Sequence, residues 1–559
     1  MSDMNITKRP CLRSGQRPAV CLVLFVLMLL SQFAPGVVTR AMAYTTFTPA
    51  EVEARLAAGT AGTIIDVRAY ETYCTMGHLP CALNYPWTAY LQSHYTELDP
   101  DSMFLLVCES GIRSAQAAAF LDGQGFTSVY TMSSGMDAWQ GETQNCDVTC
   151  PAIYFPHVTT RSPWETEIAI IDTGAGQTVT GTLKAYGDDG QIVNVRTVSL
   201  PARGRKQITV SDEFQDHAGI GYIVFTEATG TVQGYTKFFQ DGKYRTAIPA
   251  VTEVNTANIY IPHIAENETF WTGISLVNTS AEEKNLSISF NNGRRSDLTV
   301  AAGEHRIFTI AGLFGGQPQP DIKSGVITNA GGIIGLELFG SANQLDGLLL
   351  TDDTVSTIYY PHVADITRWW TGIVAYNPSN AASEITLTPY SAAGSALAAS
   401  SLVIAGREKY IGVVKNLDLP DDTAWFRIDS TRPLVGFELF GTLDGKQLAA
   451  YAEGSGAGAK AGAFPKIEKN GWTGVAFVNT ENDAAAVTLT AYDDNGNQVA
   501  VQTITVEGHA KVVNLAENVF APRSIGRATY ITFTSDRDVV GFQLNGSADG
   551  NMLDGLPAL

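Results

Sequence analysis

Cys108-Glu109-Ser110-Gly111-Ile112-Arg113-Ser114 decides how the N-terminal part of this chain folds. The apolar run Met103-Phe104-Leu105-Leu106-Val107 precedes it, and the alanine-rich run Ala115-Gln116-Ala117-Ala118-Ala119-Phe120-Leu121 follows. This order reads as a buried strand, a tight loop and a helix. A cysteine at the strand end thus faces the unpaired N–H groups of a loop and a helix start. Such a place holds an anion and favours the thiolate. Gly111 lets the backbone curl, Arg113 adds positive charge, and Ser114 is an expected N-cap. The chemistry implied is thiolate attack on an anionic substrate.

Four further pieces flank this loop in order: Asp66-Val67-Arg68, Glu71, Gly77-His78-Leu79-Pro80-Cys81-Ala82, and Gly135-Met136-Asp137-Ala138-Trp139. Together the five resemble the rhodanese family of sulfurtransferases, over residues 44–145. The resemblance implies an α/β domain with a parallel sheet and flanking helices. It makes Cys108 the catalytic nucleophile and Glu109, Ser110, Gly111, Ile112, Arg113 and Ser114 the substrate-binding loop. It gives His78 a structural place in the Gly-His-Leu-Pro turn. Asp66, Arg68 and Glu71 are expected to tie the strand end to the following loop. Two positions depart from the family pattern. Glu109 stands where thiosulfate-using members carry a basic or neutral residue, and Ile112 where they carry a polar one. Both make the loop less attractive to a dianion, although Glu109 is expected to swing its charge into solvent.

The chain has 559 residues, a net charge of −20, 45% hydrophobic residues and 53 glycines. Length suggests several domains, and abundant glycine with few charges suits turn-rich β structure. The acidity argues against nucleic acid and against an anionic membrane as partner. Lys8, Arg9, Arg13 and Arg17, the apolar stretch Ala19 to Ala34, and Ala41-Met42-Ala43 read as an export signal cleaved near Ala43. The apolar stretch is shorter than the roughly twenty residues of a membrane span, and no second span follows. The mature chain is therefore expected outside the cytoplasm: periplasmic, secreted or on the cell surface.

Seven cysteines are present, and Cys11 and Cys21 leave with the signal. Cys74, Cys81, Cys108, Cys146 and Cys150 remain, all before residue 151. In an oxidising compartment an odd number implies two disulfides and one free thiol. The close spacings predict Cys74–Cys81 and Cys146–Cys150, leaving Cys108 free. No metal ligand set and no cofactor motif is recognised, because paired C-x-x-C spacing and clustered histidines are missing.

After residue 150 the sequence repeats with a period of about one hundred residues. The repeats open at Ile153-Tyr154-Phe155-Pro156-His157, Ile259-Tyr260-Ile261-Pro262-His263, Ile358-Tyr359-Tyr360-Pro361-His362 and Ala463-Phe464-Pro465-Lys466. Each continues with a tryptophan (Trp164, Trp271, Trp370, Trp472), then a strand ending in Asp172, Asn278, Asn377 or Asn479. Gly187-Asp188-Asp189-Gly190 and Asp493-Asp494-Asn495-Gly496 signal hairpins. Short strands without helical periodicity predict four all-β sandwich repeats, at residues 151–252, 253–355, 356–457 and 458–559, behind a rhodanese-like domain at 44–150 and the signal at 1–43. A linear string of modules is expected, with the tryptophans as core anchors and the histidines bonded within their own Pro-His turns.

The expected function is an exported sulfurtransferase. Cys108 takes sulfane sulfur from a small sulfur-containing anion such as thiosulfate and passes it, as a persulfide, to a thiol acceptor or cyanide. The β repeats would bind a protein or cell-surface partner. The alternative is a non-catalytic extracytoplasmic binding or scaffold protein with a degenerate rhodanese-like domain. A rhodanese-like phosphatase or arsenate reductase ranks last, because the loop is short.

Overall fold

The computed structural model describes residues 44–174, 176–364, 367–452 and 458–559. The segment read as an export signal lies outside the described residues. Residues 44–559 form one compact unit.

Its N-terminal part is α/β. Strand β1 (Thr45–Phe47) leads through helix α1 (Pro49–Ala57) to β2 (Thr63–Asp66), helix α2 (Tyr70–Thr75) and β3 (Leu83–Asn84). Strand β4 (Met103–Val107), helix α3 (Ile112–Gly123) and β5 (Ser128–Met132) complete it. The sheet is parallel, in the order β1-β5-β4-β2-β3. Helix α1 starts at a capping box, in which Thr48 and Glu51 satisfy each other's backbone donors. Strand β4 is buried at four of five positions, as the run Phe104-Leu105-Leu106-Val107 requires in a sheet covered on both faces.

Each following repeat is a two-sheet antiparallel sandwich. In the first, β7 (Glu165–Asp172) lies between β10 (Arg205–Thr209) and β12 (Val232–Gln240), with β13 (Tyr244–Pro249) at the edge. The second sheet runs β6 (Ala152–Phe155), β11 (Tyr222–Thr226), β8 (Val179–Tyr186), β9 (Ile192–Leu200). The Gly187–Gly190 hairpin joins β8 to β9 as its sequence predicts. In repeats 3 and 4 one 18-residue strand, Trp425–Thr442 or Tyr530–Ser547, runs through both sheets. The recurrent asparagine closes a loop. Asn278 Nδ2 donates to Glu282 O (2.7 Å) and Ala301 O (2.9 Å), while Oδ1 accepts from Ser280 N (3.0 Å). Asn377 and Asn479 do the same in their repeats.

The repeats do not form a linear string; they close into a ring. Ile248 of repeat 1 packs on Leu336 of repeat 2, and Leu348 of repeat 2 on Phe437 of repeat 3. Ala449 and Tyr451 of repeat 3 pack with Phe542 of repeat 4, and Leu556 of repeat 4 returns to Ala169, Tyr235 and Ala247 of repeat 1. The cause is visible in β7, which is buried at seven consecutive positions. Its own second sheet covers one face, and only a neighbour can cover the other. A buried ionic network seals the last junction. Arg245 of repeat 1 pairs with Glu468 (2.9 Å) and with Asp554, while Lys466 reaches Asp554 (3.2 Å) and Glu468 (3.0 Å).

Ring closure corrects two side-chain expectations. The Pro-His histidines do not bond within their own turns but cross to the next repeat. His157 Nδ1 lies 3.3 Å from His305 Nε2, His263 Nδ1 3.0 Å from Lys409 Nζ, and His362 Nδ1 3.1 Å from Lys511 Nζ. Burial, then the neighbouring lysine charge, holds His263 and His362 neutral far below the usual histidine range. His305 in turn bonds Asp188 (2.7 Å) and Ser275 (2.8 Å). The tryptophans of the Trp-Thr-Gly motifs are not core anchors: Trp271 is 37% exposed, and Trp370 and Trp472 are half-buried. Each ring lies over the motif's own glycine and a glycine of the adjacent strand. A Cβ at Gly474 or Gly546 would come within 3.3 or 2.2 Å of the Trp472 ring.

The first repeat is fused to the N-terminal sheet. Thr197 Oγ1 donates to Met103 O (2.7 Å), Thr63 Oγ1 meets Thr182 Oγ1 (3.1 Å), and Arg196 pairs with Asp99 (3.1 Å). Val195 enters the same core as Leu98 and Phe104. These contacts sit where β2 and β4 begin. The repeats therefore grip the amino ends of the strands and leave the carboxyl ends, where Cys108 lies, to other uses.

Candidate active site

Cys108 follows β4 directly and is 1% exposed. Its Sγ accepts the backbone N–H of Ser114 (3.3 Å) and stands 3.5 Å from Ser114 Oγ. Ser114 is not the helix cap. Gly111 occupies that position with φ +84, and α3 begins at Ile112. The left-handed turn at Gly111 brings the chain back over the strand end, which aims the Ser114 N–H of the first helical turn at the sulfur. Ser114 Oγ donates to Gly111 O (3.1 Å) and fixes the loop's curl.

The Gly135-Met136-Asp137 segment supports the loop from below. Met136 N donates to Cys108 O and Asp137 N to Glu109 O, both at 2.8 Å. Gly135 has φ +56, and a Cβ there would lie 2.2 Å from both carbonyl oxygens. The closing motif is thus a clamp on the loop's backbone. Trp139 anchors it, nearly buried, with Nε1 donating to Glu142 O (3.0 Å).

Glu109 does not swing into solvent. It forms an ion pair with Arg113 one helical turn on, with side chains 28% and 44% exposed. The loop's one guanidinium therefore carries its own counterion, a pair of small energetic weight at this exposure. Ile112, at 66% exposure, projects from the helix start, and Ser110 is an exposed loop residue.

Behind the loop, Asp66 and Arg68 form a fully buried ion pair (2.6 Å), and Arg68 also donates to Gly77 O (2.7 Å). This pair links the end of β2 to the Gly-His-Leu-Pro turn. Glu71 takes no part in that link; its side chain is exposed in the first turn of α2. His78 is buried in the turn. Its Nδ1 bonds Leu79 O (2.9 Å), its ring stacks on Tyr73 at 3.8 Å, and its backbone pairs with Gln144.

The disulfides join Cys74 to Cys146 and Cys81 to Cys150, not the near neighbours in sequence. The short spacings misled because the segment 143–150 folds back along the Gly-His-Leu-Pro turn. There each cysteine of the turn region meets one of the exit region. Among the described residues Cys108 is the free cysteine.

Residues 48–142 match the family description Rhodanese-like domain. Over 89 residues the chain is 34% identical to "Thiosulfate sulfurtransferase GlpE" of Pseudomonas entomophila, covering 14% of this chain and 75% of that protein. It is 45% identical over 47 residues to "Putative sulfurtransferase YtwF" of Bacillus subtilis, covering 8% of this chain and 45% of that one. It is 33% identical to "Putative sulfur carrier protein YrkF" of the same organism, covering 14% of this chain and 43% of that one. The chain thus spans under half the length of these two Bacillus relatives. Among solved structures, a rhodanese-like domain protein from Staphylococcus aureus matches at 25% identity, with a TM-score of 0.17, over 18% of this chain and 97% of that one.

Proposed function

Because the chain belongs to the rhodanese-like family through residues 48–142, we propose that it is a sulfurtransferase whose sulfur carrier is Cys108. The Cys108 thiolate attacks the outer sulfur of a sulfane donor such as thiosulfate. The donor's S–S bond breaks, a new S–S bond forms on Cys108, and sulfite leaves with the electron pair. A thiolate or cyanide then attacks the terminal sulfur, giving the acceptor persulfide or thiocyanate and restoring the Cys108 thiolate. Neither step needs an outside oxidant or reductant. The observation that carries this reading is the Ser114 N–H directed at Sγ inside a loop clamped through Met136 and Asp137. Backbone donors held in place stabilise sulfur-centred negative charge without reorganising. Ser110, Gly111 and Ile112 shape the mouth of the loop. The two bridges fit an extracytoplasmic setting, and the ring of repeats presents a surface for a protein or cell-surface partner.

The scaffold reading rests on one observation, the Glu109–Arg113 pair, which takes from the loop the cation that an anionic donor would use. One experiment separates the two. The full-length protein and Cys108→Ser are incubated with thiosulfate and cyanide; sulfite release is followed, and the sulfur adduct is mapped by mass spectrometry. A sulfur adduct on Cys108, with turnover lost in Cys108→Ser, supports the transferase. No adduct from several sulfane donors supports the scaffold.

A further inference from the structure

A second cleft, of about 540 Å³, opens between the rhodanese-like unit and repeats 1 and 2. We propose that it binds a small aromatic carboxylate, independently of the sulfur chemistry at Cys108.

Its floor is the part of the outer face of the sheet β6-β11-β8-β9 that repeat 2 leaves open; Tyr222 and Val224 are themselves buried there, in one cluster with Val277 and Ile334 of repeat 2. On β11, Val224 stands opposite both Tyr154 and Lys184, and Tyr222 stands opposite Tyr186. Register alone therefore gathers three tyrosines and a lysine on one face. The rings of Tyr186 and Tyr222 stack at 4.7 Å, 4° from parallel. Across the cleft, Tyr70 at the start of α2 is 65% exposed and offers a further ring face. Both disulfides reach this wall and pin the segment that forms it.

Charge decides the occupant. The chain carries 56 acidic against 36 basic side chains, yet among the described residues no Asp or Glu lines this cleft. Lys184 is its lysine and enters no salt bridge among the described residues. Tyr222 donates its hydroxyl to Gly303 O (3.0 Å). The hydroxyls of Tyr154 and Tyr186 have no such partner among the described residues, and burial followed by the nearby Tyr186 raises the Tyr154 phenol above its usual range, so it stays a donor. An ammonium without a counterion and two phenolic donors suit one carboxylate. The exposed ring of Tyr70 suits a flat ring beside it. A cleft of this size takes one or two rings. A cationic ligand would meet Lys184, and a neutral one would leave it unpaired.

The test uses the full-length protein and three single-ring probes of similar size: benzoate, benzamide and benzylamine, titrated by calorimetry and by ligand-observed NMR. Benzoate should saturate at one per chain, with the other two about tenfold weaker or worse, the effect of losing one charge-assisted contact. Lys184→Gln should weaken benzoate by about tenfold, whereas Lys184→Arg should hold it within about threefold. Tyr154→Phe, which keeps the ring and removes the donor, should weaken it a few fold. Circular dichroism of each variant checks that the fold is kept. Equal binding of the three probes, no benzoate binding, or full benzoate affinity in Lys184→Gln overturns the proposal. Sulfur loading of Cys108 is measured separately, so either result leaves the transferase reading where it stood.

Discussion

The two disulfides should act as one interlocked device, and their removal should cost more together than the sum of the parts. Cys74–Cys146 closes a loop with a sequence separation of 72, and Cys81–Cys150 one of 69. In the chain-entropy treatment either bridge alone restricts the unfolded chain by about 4.4 kcal/mol. Once one is present, the other closes a much shorter path. That path runs seven residues from Cys74 to Cys81, across the bridge, and four residues from Cys146 to Cys150. A loop of that length contributes only about 2.8 kcal/mol. Removing either bridge by paired Cys→Ala changes should therefore cost about 2.8 kcal/mol, and removing both about 7 kcal/mol. The assay is hydrogen exchange of the full-length protein, read on the slowest amides of β4, since opening of this region is local. A double loss equal to the sum of the two single losses would refute the interlock. Recovery of a Cys74–Cys81 peptide under non-reducing digestion would refute the pairing itself.

Three further outcomes are expected. Gly135→Ala places a methyl against Cys108 O and Glu109 O at a positive φ; sulfur loading should fall steeply and the loop should lose about 3 kcal/mol, while the circular dichroism of the β repeats stays unchanged. Arg245→Ala leaves the buried Asp554 without its strongest partner and should cost about 3–5 kcal/mol; exchange should accelerate in repeats 1 and 4 together, and acceleration in repeat 1 alone would contradict the closed ring. Burial lowers the Lys511 ammonium to about 8, against the opposing pull of Glu438, itself raised by burial. The unfolded chain thus binds the Lys511 proton up to its ordinary value while the folded chain releases it, so this residue's contribution to stability rises with pH from about 8 to 10.5 and is lost as pH falls back through that window. Lys511→Met should flatten that rise, by up to about 3 kcal/mol, in melts taken across the window; an unchanged slope would remove Lys511 as its source.

What the sequence determined by itself is what short-range physics determines. The Cys108 loop, the Gly111 turn, the hairpins at Gly187 and Asp493 and the period of the repeats depend on residues a few positions apart. Backbone sterics and local hydrogen bonds are legible there. Even the Asp66-Val67-Arg68 ion pair spans only two positions. The tertiary structure decided the rest, because most of the remaining features need residues far apart in the chain to meet. The disulfide partners follow from the 143–150 segment folding back on the turn, which no spacing reveals. The Glu109–Arg113 pair depends on where the helix starts, and that start lay two residues before the serine expected to cap it. Ring closure had a signal that the alternating-strand reading passed over. Ile168-Ala169-Ile170-Ile171 of repeat 1 and Val475-Ala476-Phe477-Val478 of repeat 4 are continuous apolar runs, the mark of a strand buried on both faces. The second cover comes from another repeat a hundred residues away, and only packing shows which. The same closure sends the Pro-His histidines into the next repeat. It also leaves the Trp-Thr-Gly rings flat on paired glycines, because a glycine on the adjacent strand is what lets an indole lie there rather than enter the core.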